Sequence, residues 1–175
     1  DQTLSCSSCS GGRSGEMKVL LLGDTHGRVD DAIVELAASM ELVIDTCGSG
    51  SAAVLEVVKS RCGNVMAVTI NNDVPKKWPE DEHLVLSKLP KSLQIDLPGG
   101  VLAIEHGHQI WDTANYHSRL RHKYPDTQAI AYGHTHIRRI DTTIHPWVIN
   151  PGAAGRVRTK GGASCLVLTA KPARW

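Results

Sequence analysis

The sequence predicts an α/β protein that opens with parallel crossover units and closes with antiparallel strands. Three observations carry this prediction. The apolar run Val19–Leu22 stops at a polar loop, and a one-sided helical pattern and a second apolar run follow it. The alternation of strand and helix then continues to a third strand, the pattern of a parallel sheet. Further on, Pro98-Gly99-Gly100 separates two apolar-rich segments, which signals a β-hairpin.

The elements follow in order. After the first strand, Val29, Ala32, Ile33, Leu36, Ala37 and Met40 share one face of a helix over 29–40. Leu42-Val43-Ile44 is a short buried strand. Cys47–Ser51 is a Gly/Ser loop, and Ser51 can cap a helix over Ala52–Arg61. Val65–Ile70 is the third strand and runs into Asn71-Asn72-Asp73. Val74–Pro90 carries three prolines and reads as a long loop with a short strand at Leu84–Leu86. Ser92–Leu97 and Val101–Glu105 form the hairpin. Asp112 is placed to cap a helix that reaches Lys123, and Pro125 stops it. Ala129–Tyr132 is a strand, Ile137–Ile144 and Trp147–Asn150 a strand pair, and Cys165–Thr169 a closing strand after the Gly- and Arg-rich loop 151–162.

Bulk composition narrows the classes of function. The 175 residues suit one domain, here 17–175, with 1–16 as a Ser- and Gly-rich disordered extension or cloning remnant. Nineteen basic and 18 acidic residues nearly cancel, so no global field points to nucleic acid or a membrane surface. No apolar run reaches a membrane-spanning length. Five cysteines show no disulfide spacing, and Cys6 and Cys9 form a lone Cys-x-x-Cys without the second pair that a structural zinc needs. A cytoplasmic location is the resulting expectation. Phe is absent, so the core falls to Val, Leu, Ile and Ala.

Of nine histidines, five stand out by position. Asp24 and His26 follow the first strand, Asn71 and Asp73 the third, His106 and His108 the hairpin, and His134 and His136 the strand after it. Loops beyond the carboxyl ends of strands gather at one edge of an open α/β sheet, where sites form. Carboxylate and imidazole together suit Mn, Fe, Ni or Zn better than Ca.

The order Gly-Asp-x-His, Asn-x-Asp, His-Gly-His, Gly-His-x-His over residues 23–136 resembles the calcineurin-like metallophosphoesterase superfamily. Asn150-Pro151-Gly152 resembles its small YfcE-type phosphodiesterase branch. The resemblance spans about Met17–Thr169. It implies a four-layer α/β/β/α sandwich of two mixed sheets with a two-metal site at the sheet edges. By position, Asp24, His26 and His136 would hold the first metal, and Asn71, His106 and His134 the second. Manganese is the first expectation, with Ni, Fe or Zn as alternatives, and one or two ions.

The sequence departs from the family at one motif. The Asp that bridges both metals lies in a His-x-Gly-Asp motif after the second strand. Here Asp45, Cys47 and Gly48 stand where the family has His, Gly and the bridging Asp, and Ile70 replaces the Gly before the Asn. A bridging carboxylate offsets the mutual repulsion of two cations about 3.5–4 Å apart. Its loss weakens the second site. Asp45 could substitute only through a rearranged loop, and a Cys47 thiolate would favour Zn. The plainer reading has Asp45 ending its strand and Cys47 packed.

The implied activity is metal-dependent hydrolysis of a small phosphoester, with water rather than a side chain as nucleophile. Asn72 stands where many relatives carry an acidic His. It can hydrogen-bond phosphate but cannot act as an acid, which leans towards diesters with good leaving groups. His108 either contacts phosphate, donates a proton, or supports its neighbours. Asp73 orients loop groups, and Arg156 and Arg158 either attract an anion or are solvated. The alternative is a catalytically impaired member used for binding, as in the retromer subunit of the same fold. An exposed apolar patch at Trp78, Trp111 or Trp147 would favour it.

Overall fold

A computed structural model describes residues 3–4, 15–46, 51–71, 73–112 and 114–175. Cys6, Cys9, Cys47, Gly48 and Asn72 lie outside the described residues. The strands are β1 (Thr3–Leu4), β2 (Met17–Leu22), β3 (Leu42–Asp45), β4 (Val65–Ala67), β5 (Ser92–Leu97), β6 (Gly100–Glu105), β7 (Ala129–Tyr132), β8 (Arg139–Asp141), β9 (Trp147–Asn150) and β10 (Leu166–Ala170). The helices are α1 (Asp31–Ala37), α2 (Ala53–Cys62), α3 (His83–Lys88) and α4 (Tyr116–Lys123).

Among the described residues the strands form two mixed sheets. One has the order β10-β2-β3-β4 and the other β1-β5-β6-β7-β9-β8. The parallel pairs are β1 with β5, β2 with β3, β3 with β4, β6 with β7 and β7 with β9. The antiparallel pairs, β10 with β2, β5 with β6 and β8 with β9, come from the hairpin and from the later strands.

Alternation along each strand decides the layers, because successive side chains point to opposite faces. Val19, Leu21, Leu42 and Ile44 from the first sheet meet Ile95, Leu102, Ile104 and Ala131 from the second in one buried cluster. Leu20, Leu22 and Val43 face the other way, onto Ile33 and Ala37 of α1 and Val54 and Val58 of α2. Ala103, Ile130 and Val148 face outward from the second sheet and are covered by Tyr116, Leu120 and Tyr124. The result is the expected α/β/β/α sandwich, with aliphatic side chains filling the sheet–sheet layer.

Local chemistry explains where the boundaries differ from expectation. Helix α1 starts at Asp31 because the Asp30 carboxylate accepts the Ala32 amide at 3.1 Å. Helix α2 starts at Ala53, and the Ser51 hydroxyl accepts the Ala53 amide while Glu82 accepts that of Ala52. Helix α4 starts at Tyr116, since Asp112 spends both carboxylate oxygens on Asn115 and holds a turn there. The expected strand at Leu84–Leu86 is instead helix α3. A short apolar run reads either way, and Leu86 buries against Trp78 and Ala52 at helical spacing. The third strand ends at Ala67, not Ile70, because Asp73 accepts the Ile70 amide at 2.8 Å and closes a turn. The strand expected over Ile137–Ile144 is confined to Arg139–Asp141.

Candidate metal centre

The parallel strands β2, β3, β6 and β7 carry their loops to a common edge, where the two sheets exchange hydrogen bonds. The amide of His134, after β7, donates to Asp24 Oδ1, after β2, at 3.2 Å. His106, after β6, donates through Nδ1 to the carbonyl of Thr46, after β3, at 3.1 Å. The Thr46 amide and hydroxyl both donate to the Leu22 carbonyl, at 2.9 and 3.0 Å. The Gly133 amide donates to the His106 carbonyl. These bonds lock four loops together without a contribution from the ligand-type side chains except Asp24 and His106.

The backbone at this edge is strained. Among the described residues, five that are not glycine have positive φ, and four of them are Asp24, His26, His134 and His136. A left-handed conformation costs such residues about 1–2 kcal/mol each and persists where the surroundings impose it. Here it brings the side chains of Asp24, His26 and His136 together.

Asp24, His26 and His136 offer one ligand atom each within 4.8 Å of one another. The His26 and His136 Nε2 atoms are 3.2 Å apart, and His136 Nε2 is 3.6 Å from Asp24 Oδ1. Two donors held about 2.1 Å from one cation at tetrahedral or octahedral angles lie roughly 3.0–3.4 Å apart, so the His26–His136 spacing fits a transition metal, and the His136–Asp24 separation is slightly wider. The donor chemistry fits as well. Asp24 is 1% exposed, and its Oδ2 is buried with no hydrogen-bond partner. A carboxylate oxygen left so is costly unless a cation offsets it.

Protonation of the imidazoles points the same way, and only Asp24 is shifted against it. Burial pushes the Asp24 carboxyl up, against the lowering effect of the His134 amide and the nearby imidazoles. Desolvation lowers His26, His108, His134 and His136 and takes His106 down to about 3. The histidines are therefore neutral at pH 7 with lone pairs to offer. For His106 the tautomer is set: Nδ1 donates to Thr46, so Nε2 is the open nitrogen.

The remaining expected residues are placed as follows. The His106 ring lies edge-on to His134 at 5.2 Å between centroids and 5.5 Å from His108. Asn71 is exposed on the turn after β4 and lines a cavity of about 420 Å³ together with His108. Asp73 accepts the Trp78 indole at 3.0 Å as well as the Ile70 amide, so it orients its loop. Asp45 is buried at the end of β3, opposite Leu22. Arg156 is occupied by Asp30 and Asp31. Arg158 instead disfavours protonation of His26, His134 and His136, and Lys160 acts in the same direction on His136.

Two buttresses were not legible as such in the sequence. Asn150 is fully buried. Its amide donates to the Gly133 carbonyl at 2.8 Å and to Thr135 at 3.1 Å, while its oxygen accepts the Gly152 amide. It braces the loop that carries His134 and His136. Thr46 braces His106 from the other sheet. Asn150 was visible only as a motif, and Thr46 carries no pattern that would single it out.

The calcineurin-like phosphoesterase superfamily domain matches residues 17–172. No curated protein sequence matches at a significant level. Among solved structures, vacuolar protein sorting 29 from Cryptosporidium parvum superposes with a TM-score of 0.72 at 22% identity, covering 90% of this chain and 87% of that one. Wild-type Vps29 from Entamoeba histolytica, complexed with zinc, gives 0.66 at 17% identity, covering 87% and 85%. A conserved uncharacterized protein from Streptococcus pneumoniae, described as a predicted phosphoesterase, gives 0.62 at 16% identity, covering 91% and 86%. Each is a likeness of fold.

Proposed function

The chain belongs to the calcineurin-like phosphoesterase superfamily, and from this we propose that it is a metal-dependent phosphoesterase acting on phosphodiesters. The observation that carries the reading is the convergence of Asp24, His26 and His136 within 4.8 Å, with His106 in ring contact with the neighbouring His134. Asp24, His26 and His136 would hold the first ion; His106 and His134, with Asn71, are proposed for a weaker second. A bound divalent cation supplies Lewis acidity towards a phosphoryl oxygen and lowers the pKa of water. Manganese is the proposed ion.

The side chains divide the remaining work. Asp24 supplies the negative charge that neutralises part of the cation charge. Neutral His26 and His136 fix its position without adding charge. Arg158 attracts the anionic substrate. His108 lies beside His106 and lines the cavity that reaches Asn71, so it is proposed to contact the phosphate. Asn72, by its place in the motif, is proposed to do the same.

The second reading is a binding or scaffold role, favoured by the Vps29 likeness and by Gly48 in place of the bridging Asp. The tryptophans lend it little. Trp78 is buried, Trp147 packs on the core, and Trp111 stands exposed by itself among the three. The deciding experiment is hydrolysis of bis(p-nitrophenyl) phosphate with added Mn. The enzyme reading expects turnover well above a His134→Ala control, and a further rise in a Gly48→Asp variant. Equal rates for parent and His134→Ala across Mn, Ni, Fe and Zn would overturn it in favour of the scaffold.

A further inference from the structure

A second cavity, of about 530 Å³, opens on the other side of the histidine row. Its walls include Tyr132, His117, His134, Ile137, Arg139 and Lys160. It shares His134 with the candidate metal centre, and through the His134–His106–His108 ring contacts it is joined to the cavity beside Asn71. Its volume falls in the range of small-molecule sites.

The chemistry of its walls is one-sided. No carboxylate lines it among the described residues. Arg139 and Lys160 are exposed and, like Arg138, Arg158 and Arg174, make no ion pair among the described residues. Of the acids bonded to its walls, Asp112 is taken by Asn115 and Arg119, and Asp141 is already committed. It takes His117 Nδ1 at 2.7 Å and Arg121 at 2.8 Å, and the Thr143 hydroxyl with these partners holds its carboxyl far below the usual range. His117 in turn contacts the Tyr132 hydroxyl through Nε2 at 3.0 Å. The aromatic wall is therefore held by a hydrogen-bonded network, and Arg139 and Lys160 line the cavity beside His134. A polar cavity with cations and no acids recognises anions.

We propose that this cavity receives a second anionic group of the substrate, so that the preferred substrates are phosphodiesters carrying a further phosphate on one alcohol component. The inference rests on the phosphoesterase reading for its chemistry but not for its binding. Arg139 and Lys160 act as specificity-determining residues, and His117 and Asp141 position the wall.

A matched pair of probes tests this on the full chain. Thymidine 5′-(p-nitrophenyl phosphate) and its 3′-phosphorylated form differ by one phosphate and release the same chromophore. The 3′-phosphorylated diester should show a kcat/KM about tenfold higher, and an Arg139→Ala/Lys160→Ala variant should bring the ratio close to one. A Lys59→Ala/Arg61→Ala variant removes the same charge from α2 and should keep the parent ratio. In parallel, calorimetry compares thymidine 3′,5′-bisphosphate with thymidine 5′-monophosphate, which needs no turnover. Preference for the bisphosphate that disappears in Arg139→Ala/Lys160→Ala supports the pocket. Equal binding of the two nucleotides by the parent overturns the pocket and leaves the phosphoesterase reading standing. Absence of turnover with both diesters, with the binding preference intact, overturns the phosphoesterase reading and not the pocket.

Discussion

At the scale of single residues, the site is a cluster of imidazoles kept neutral by burial around a carboxyl whose pKa burial raises. His106 shows the cost. Its pKa is taken from 6.5 down to about 3 by burial, with the Thr46 carbonyl opposing. The unfolded chain therefore binds this proton before the folded chain does. A group depressed in this way contributes stability that is complete above pH 6.5 and is lost as pH falls towards 3. Between pH 7.5 and pH 5 the loss is about 2 kcal/mol for His106 alone. His26, His108, His134 and His136 are lowered as well and add in the same direction. Asp24 has the opposite sign, since its raised pKa favours the folded state as pH falls. One carboxylate does not offset five imidazoles. Urea unfolding of metal-free protein should give a clearly lower midpoint at pH 5 than at pH 7.5, and His106→Gln should lose part of that dependence. A midpoint that does not move would contradict the burial assigned to these rings.

At the scale of elements, each ligand-type residue is held by the turn that ends its strand. Gly107 is the clearest case. It separates His106 from His108 at φ +90°, and its carbonyl accepts the Tyr116 hydroxyl at 2.7 Å. An added Cβ would overlap that hydroxyl oxygen. Gly107→Ala should therefore cost at least about 2 kcal/mol, combining a left-handed alanine with the loss of a buried hydrogen bond, and thermal melting measures it. Much of this layer was legible in the sequence. Apolar runs, turn signals and helical patterns located β2, β3, α2, β5, β6, β7 and β9 within a residue or two, because each buries apolar side chains. The failures have local causes. Leu84–Leu86 is too short for its period to distinguish helix from strand, and its burial against Trp78 decides. The starts of α1 and α4 depend on Asp30 and Asp112, whose carboxylates bind backbone amides two and three residues on.

At the scale of the whole molecule, two sheets share one aliphatic layer and bring their strand ends to one edge. The sequence order of motifs showed which residues belong to that edge. It did not show that Asp24 and His136, 112 residues apart in the numbering, sit 3.6 Å from each other, nor that Thr46 and Asn150 brace the loops from behind. Those are facts of packing between sheets, and no local pattern encodes them. The same packing leaves a cationic cavity on one side of the histidine row and the Asn71 cavity on the other, so a diester has room for both of its substituents. Everything functional in this arrangement depends on the three-donor group. The most direct measurement is therefore a calorimetric Mn titration of metal-free protein beside an Asp24→Ala variant. Loss of an outer partner alone costs metal sites about 10–100-fold in affinity, and loss of the carboxylate donor should cost at least that. The predicted result is one tight equivalent of Mn per chain, lost in Asp24→Ala. No tight equivalent in the parent, or equal affinity in the variant, would contradict the account.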